Sequence, residues 1–330
     1  MFNVDLINIS KAIMKDDGFS ISSEEACRLA ALSEADTIDL IMCAGKLRQR
    51  YKGNRVFACS ITNAKSGLCT EDCAFCAQSA QHETGIEIHP LLSDVELAAE
   101  AGLFYNGGAT QYSMVTSGYM LTDQEIQTIV RAVGIIERET PLSICASLGI
   151  LTERRARQLR ESGITSYHHN LETAESFFDQ ICTTHNYEED LQTVRIARAA
   201  GFRVCSGGIM GLGETWQQRV ELAITLRELD VDSIPINFLN PIPGTRMAER
   251  QLLSPMEALK CIALFRFINP RKDITICGGR EVTLRDMQSW IFAAGANGLM
   301  VGNYLTTQGR DIMTDMAMIR DQGLIIERRT

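Results

Sequence analysis

Short runs of apolar, β-branched residues recur along this chain, and each is followed by a stretch whose apolar positions return every three or four residues. Eight such runs begin near Arg55, Ala109, Pro141, Ser166, Arg203, Ser233, Asp273 and Gly298. The stretches between them predict amphipathic helices over residues 93–101, 123–139, 152–162, 187–200, 215–229, 255–267 and 284–294. Ser93, Thr122, Thr152 and Ser254 stand where helix N-caps belong, and Gly102, Gly163, Gly201 and Gly295 where helices stop. The pattern is strand–helix alternation throughout.

Apolar strands alternating with helices predict a parallel sheet covered by helices, and eight units are the number that closes a (β/α)8 TIM-type barrel. An open, doubly wound sheet is the alternative. Residues 1–52 precede the first strand and read as helical, with Ser23 opening a stretch that holds Glu24, Glu25 and Leu29. They predict an N-terminal helical extension, either lid-like or plugging one end, ahead of a barrel domain over 53–330. No Pro/Gly/Ser-rich linker, low-complexity segment or internal repeat calls for a further domain.

A hydrophobic share of 45% and a charged share of 22% over 330 residues describe a globular chain with ample material for a core. The net charge of -9 leaves no basic field for phosphate backbones or anionic lipid, so neither nucleic acid nor membrane is an expected partner. Asp5, Lys11, Lys15, Asp16 and Asp17 interrupt the first residues, which rules out a secretory core there, and the apolar run 291–301 is too short to span a bilayer. A cytoplasmic location follows as the expectation. Eleven cysteines then become the leading chemical feature. In a reducing compartment they are ligands, catalysts or buried thiols, and an odd count cannot be fully paired.

Three of them lie within eight residues, Cys69-Thr-Glu-Asp-Cys73-Ala-Phe-Cys76, directly after the first predicted strand. Three thiolates so close can hold three corners of a 4Fe-4S cubane and leave the fourth iron without a cysteine. That open iron can chelate the amino and carboxylate groups of S-adenosylmethionine, where an electron from the cluster can break a C–S bond and release a 5'-deoxyadenosyl radical. A structural zinc site would want a fourth ligand and usually pairs two-residue spacings. Phe75, beside Cys76, is positioned to cover the adenine or simply to pack.

The stretch Asn63 to Ala80, NAKSGLCTEDCAFCAQSA, resembles the signature of the biotin synthase family. The likeness continues through His169-Asn170-Leu171-Glu172-Thr173, the run Cys205 to Thr215 (CSGGIMGLGET), Pro235-Ile-Asn237, Asn240 to Thr245 (NPIPGT) and Gly278-Gly-Arg280-Glu281. The resemblance implies a (β/α)8 homodimer, reduced by flavodoxin or ferredoxin, that inserts sulfur into dethiobiotin to form biotin. It implies that Asn170 and Glu172 contact the S-adenosylmethionine ribose and the substrate's ureido group, although the family usually has Asp where Glu172 stands. Asn237 matches the family's ureido-recognising asparagine, whose amide offers both a donor and an acceptor. Gly207, Gly208, Gly211 and Gly213 would let backbone approach the cofactor.

The departures are as informative as the matches. Better-known members carry an auxiliary 2Fe-2S cluster on three cysteines and an arginine. This chain keeps Cys145 and Cys205 but has Ser113 and Thr275 at the other two positions. Cys59 stands in the first strand where serine is usual, and Cys277 follows Thr275 by two residues, on the same strand face. Alternate strands of such a barrel share an interior layer, so Cys59, Cys145, Cys205 and Cys277 are expected to converge on an auxiliary cluster of four-iron type, 4Fe-4S or 4Fe-5S. All-thiol ligation suits an anaerobe. Cys27, Cys43, Cys182 and Cys261 read as packing residues. Asp190 occupies the position of an arginine that pairs with the cofactor carboxylate in the family, which leaves Arg195 or backbone donors for that task. Alternative readings are a barrel enzyme like the iron-only hydrogenase maturase, acting on another small molecule, and a non-catalytic iron-sulfur carrier.

Overall fold

The computed structural model describes residues 3–327. Its strands are β1 (Arg55–Lys65), β2 (Gln111–Thr116), β3 (Ser143–Ser147), β4 (Ser166–His168), β5 (Arg203–Cys205), β6 (Gly208–Met210), β7 (Ser233–Phe238), β8 (Asp273–Ile276), β9 (Gly298–Met300) and β10 (Ile325–Ile326). All pair in parallel, in the order β1-β2-β3-β4-β5-β7-β8-β9. β9 returns to β1 through Phe57 opposite Gly298, Ala58 opposite Leu299 and Cys59 opposite Met300. The sheet is therefore a closed barrel of eight staves, as the eight apolar runs predict.

Two staves have details that the pattern did not carry. The run from Arg203 is divided into β5 and β6, which both pair with β7 in one register, Cys205 opposite Ser233 and Gly208 opposite Ile236, with Ser206 and Gly207 between the two strands. A Cβ on Gly207 would lie 1.9 Å from the Pro235 carbonyl oxygen, so glycine is what lets the stave pass β7 at that point. β10 lies beside the first residues of β1, at Arg55 and Val56, just before β9 takes up the pairing.

The outer helices begin where the hydroxyl caps predict. Ser93, Thr122 and Thr215 each close a capping box with Glu96, Glu125 and Gln218, and Ser254 caps a helix that opens on Pro255. The helix expected over 284–294 is instead broken into Arg280–Leu284, a 3-10 turn Arg285–Met287 and Trp290–Ala293. Arg285 has φ of 50°, a left-handed value that a right-handed helix cannot contain.

Three helices, Val4–Lys15, Ser23–Ala30 and Glu34–Lys52, form the segment before β1. They bury Leu6, Ile13, Leu40, Ile41 and Ala44 in the same core as the barrel's outer layer. Arg48 donates to the Phe292 carbonyl, Arg227 to that of Ile21 and Lys260 to that of Leu32. None of its described residues lines the cavity at the barrel mouth, and its contacts brace the outer helices. Among the described residues no helix is long and apolar enough to cross a membrane.

The Gly207–Pro235 crossing gives a direct test of stave geometry. Gly207→Ala is expected to destabilise the protein by about 3 kcal/mol, the upper end of ordinary overpacking penalties, because its new methyl meets backbone and not a movable side chain. Anaerobic urea denaturation measures it.

Candidate active site

Strand side chains alternate between the barrel interior and the helix layer. Cys59 and Ile61 of β1, Ser113 of β2, Cys145 of β3, His168 of β4, Cys205 of β5, Pro235 of β7 and Thr275 of β8, with Cys277 just beyond it, all line one interior cavity. Above it, at the C-terminal ends of the strands where barrel sites form, opens a second cavity of about 390 Å³. Ile61, His168 and Met300 line both, so the two chambers are stacked and share a wall.

The three clustered cysteines enter the upper chamber from a loop that is tied to itself. Gly67 and Leu68 turn the chain with φ of 77° and 52°. The Cys69 N–H then donates to Gln78, Ala80 returns a bond to the Cys69 carbonyl, and Cys76 donates to the Cys73 carbonyl. A second set of bonds fixes the loop to the segment after β4: Ala74 donates to the Ile181 carbonyl, and the Thr183 N–H and hydroxyl both donate to Asp72, at 2.8 and 2.7 Å. Cys69, Cys73 and Cys76 all line the chamber. Burial pushes the Cys76 thiol up to about 11, and Cys73 is held protonated by its hydrogen bond to Cys182 and by burial. Buried thiols that resist ionising alone are stabilised as thiolates only by a bound cation, so the donor set fits a metal cluster with three cysteine corners.

Asn170, Glu172, Asn237 and Phe75 share that chamber with the cysteines. The Asn170 side-chain oxygen accepts from the Gly207 N–H and meets His168 Nε2 at 2.8 Å, while its amide nitrogen donates to Glu172 at 3.2 Å. Glu172 itself has φ of 59°, and burial, reinforced by the charge of Asp190, pushes its carboxyl up to about 8. Asn237 is oriented by the Gly278 N–H, which donates to its side-chain oxygen at 3.0 Å, and by its own bond to the Gly208 carbonyl. Gly208 and Gly211, expected to admit the cofactor, are not among the lining residues. A Cβ on Gly208 would stand 2.4 Å from the Glu172 carbonyl oxygen, and Gly211 has φ of 96°; both glycines serve the backbone that carries the site.

Cys59, Cys145, Cys205 and Cys277 all line the lower chamber. Burial raises the Cys277 thiol well above the ordinary thiol range, and the nearby Cys59 and Cys205 raise it further. Ser113 and Ser233 hydroxyls on the same wall are buried without a hydrogen-bond partner. Four thiols with two unsatisfied hydroxyls fit an inorganic group with sulfide acceptors better than a plain apolar core.

Cys182 and Arg195 lie differently from one another relative to the chamber. Cys182, read as a packing residue, is buried in the core as expected, and it also lines the upper chamber, bonds the Cys73 thiol and lies 3.3 Å from His185 Nδ1. A lone cysteine in a loop carries no periodic signal, so only the fold could bring it there. Arg195 does not replace the missing arginine, because its half-exposed side chain pairs with Glu188 on the outer face. Asp190 faces the chamber and is bound by His169 at 2.7 Å and His185 at 3.4 Å. Burial opposes a charge on His185, but Asp190, Cys182 and Glu71 together raise it to about 11.

Residues 65–226 match the radical SAM superfamily, and residues 235–325 match the Biotin and Thiamin Synthesis associated domain. The chain is 58% identical to the biotin synthase of Syntrophus aciditrophicus over 94% of its own length and 96% of that protein's. It is 54% identical to the biotin synthase of Geobacter metallireducens, with 94% of each chain covered. The chain belongs to the biotin synthase family. As a biotin synthase it is a radical S-adenosylmethionine enzyme and a sulfurtransferase. Methylornithine synthase (TM-score 0.84, 20% identity, 97% of each chain covered) shares its barrel. So does the FeFe-hydrogenase maturase of Carboxydothermus hydrogenoformans (TM-score 0.83, 18% identity, 99% of this chain and 80% of that one). At such identities the likeness is one of fold.

The Glu172 environment sets a pH signature. A carboxyl whose folded value lies above its unfolded one binds protons on folding, so its contribution weakens stability as pH rises from the unfolded value toward about 8. In cluster-free protein, Glu172→Gln is therefore expected to gain stability over wild type progressively from pH ~5 to pH ~8, by denaturant midpoints at matched pH. A difference that stays flat with pH rejects the assignment.

Proposed function

We propose that Cys69, Cys73 and Cys76 hold a 4Fe-4S cluster that binds S-adenosylmethionine, and that Cys59, Cys145, Cys205 and Cys277 hold an auxiliary four-iron cluster, 4Fe-4S or 4Fe-5S. The observation that carries this reading is the stacking of two cysteine-lined chambers on the shared residues Ile61, His168 and Met300. When loaded, the first cluster supplies the electron that cleaves the cofactor, and the second supplies the sulfur that enters dethiobiotin.

The chain's own residues orient the reactants between the two. Phe75 offers a flat apolar face to the adenine. Asn170, locked by His168 and Gly207, presents its amide together with Glu172 toward the ribose and the ureido ring. Asn237, fixed by Gly278, gives the cyclic urea a polar partner of set direction. Apolar walls from Ile61, Val115, Ile209 and Met300 keep water from the reacting carbons. A flavodoxin or ferredoxin reductant, a homodimeric assembly, a cytoplasmic location and an anaerobic setting belong to the same proposal, as the family resemblance, the acidic charge balance and the all-thiol ligand set suggest.

Fully loaded protein is expected to contain about eight irons per chain. Replacing Cys69, Cys73 and Cys76 by alanine should remove half of that iron and abolish 5'-deoxyadenosine formation. Cys277→Ala should leave 5'-deoxyadenosine formation intact while biotin formation is lost. One cubane of iron in wild-type protein, or biotin formation by the Cys277 variant, rejects the auxiliary cluster. Asn237→Ala is expected to raise KM for dethiobiotin by ~10–100-fold, the loss of one oriented buried polar contact, and steady-state kinetics read it.

A further inference from the structure

The upper chamber has a charge problem. Among the described residues its lining holds the acidic side chains of Glu71, Glu172 and Asp190 and no lysine or arginine. Both molecules it is proposed to receive carry a carboxylate of their own. The arginine that answers this need in the resembling family is Asp190 here, and Arg195 is turned away on the outer face.

Against the same wall, Glu71, Cys182 and His185 each offer one ligand atom, and the three atoms lie within 4.8 Å of one another. His185 Nδ1 stands 3.3 Å from the Cys182 sulfur and 2.7 Å from Glu71 Oε2. Bonds of about 2.0–2.3 Å to a tetrahedral zinc ion separate its ligands by little more than this. All three side chains are largely shielded from solvent. The other ring nitrogen, Nε2, meets Asp190 Oδ2 at 3.4 Å, and Asp190 is held in turn by His169. A carboxylate behind a histidine is the usual support of a metal ligand, since it fixes the tautomer that leaves Nδ1 bare.

We propose that Glu71, Cys182 and His185 form a mononuclear site for a divalent transition metal, zinc or ferrous iron, beside the first cluster and distinct from both clusters. Binding releases the proton that His185 Nδ1 shares with the Cys182 sulfur and Glu71, and the metal replaces the hydrogen bonds that now join the three groups. Three protein ligands leave a coordination position open, as in zinc sites that bind a water or a substrate group. That position gives the chamber a metal centre able to accept a carboxylate, and a carboxylate of the bound cofactor is its natural ligand. This last role rests on the proposed function above; the metal site itself does not.

Cobalt(II) is the probe, because a cobalt–thiolate bond absorbs where zinc is silent. Anaerobic enzyme with its clusters loaded, stripped of loosely bound metal by chelator, is titrated with cobalt and followed by absorption and metal analysis. The expected result is one tightly bound cobalt per chain with a thiolate charge-transfer band, displaced by zinc. Cys182→Ser is expected to lose the band, and His185→Gln to weaken cobalt binding at least ~10-fold, as loss of a metal ligand does. Both variants should keep wild-type cluster iron, which shows that they fold. A loaded wild-type enzyme that takes up no such cobalt, or a band that survives Cys182→Ser, overturns the site. The same samples are assayed for 5'-deoxyadenosine, so enzyme that cleaves the cofactor yet binds no cobalt rejects the metal site alone and leaves the proposed function standing.

Discussion

Closure of the sheet through the β1–β9 pairing is the constraint on which the rest of the structure depends. Once Phe57, Ala58 and Cys59 pair with Gly298, Leu299 and Met300, every stave has a neighbour on both edges and its side chains are forced alternately inward and outward. The inward set can then only stack in layers. Cys59, Cys145, Cys205 and Cys277 come from staves far apart in sequence, yet closure brings them to one chamber. An open sheet of the same strands would have spread them along a line.

The clustered cysteines depend on a second, local constraint. A loop of eight residues with three thiols has little core of its own, and its shape comes from backbone bonds that return on themselves and from the clasp of Asp72 on Thr183. The clasp joins the loop after β1 to the segment after β4, and so sets the cysteines against Asn170 and Glu172. Arg246 adds to it by donating to the Ile181 carbonyl. Positions of the reacting groups are thereby held by hydrogen bonds at loop ends and not by loop length, which is how a barrel carries variable chemistry on a fixed frame.

Electrostatics separate this chain from a simple reading of its relatives. Where a single cation would serve, the upper chamber carries an alternating row of Glu71, His185, Asp190 and His169, with the Cys182 sulfur at its edge. Such a row satisfies each buried polar group with another and leaves little net positive charge for a ligand. The lower chamber solves the opposite problem. Its Cys277 thiol is buried so deeply that it is costly as a lone anion, a cost that a bound cationic group of the proposed kind would remove.

The sequence by itself determined the eight staves, the helix caps and the three-cysteine loop, because each is written in a short window as periodicity, a capping residue or a ligand spacing. It also determined that the four further cysteines share a layer, since residues at i and i+2 face the same way and alternate staves contribute together. Only the tertiary structure decided the rest. The break in the stave at Gly207 is imposed by the Pro235 carbonyl of a neighbouring strand, and the break at Arg285 by a left-handed residue inside an otherwise helical pattern. The place of Cys182 on the wall of the chamber as well as in the core depends on a clasp between residues more than a hundred positions apart, at Asp72 and Thr183. Contacts of that range have no local signature: they are chosen by which surfaces meet when the barrel closes, and no window of sequence contains both partners.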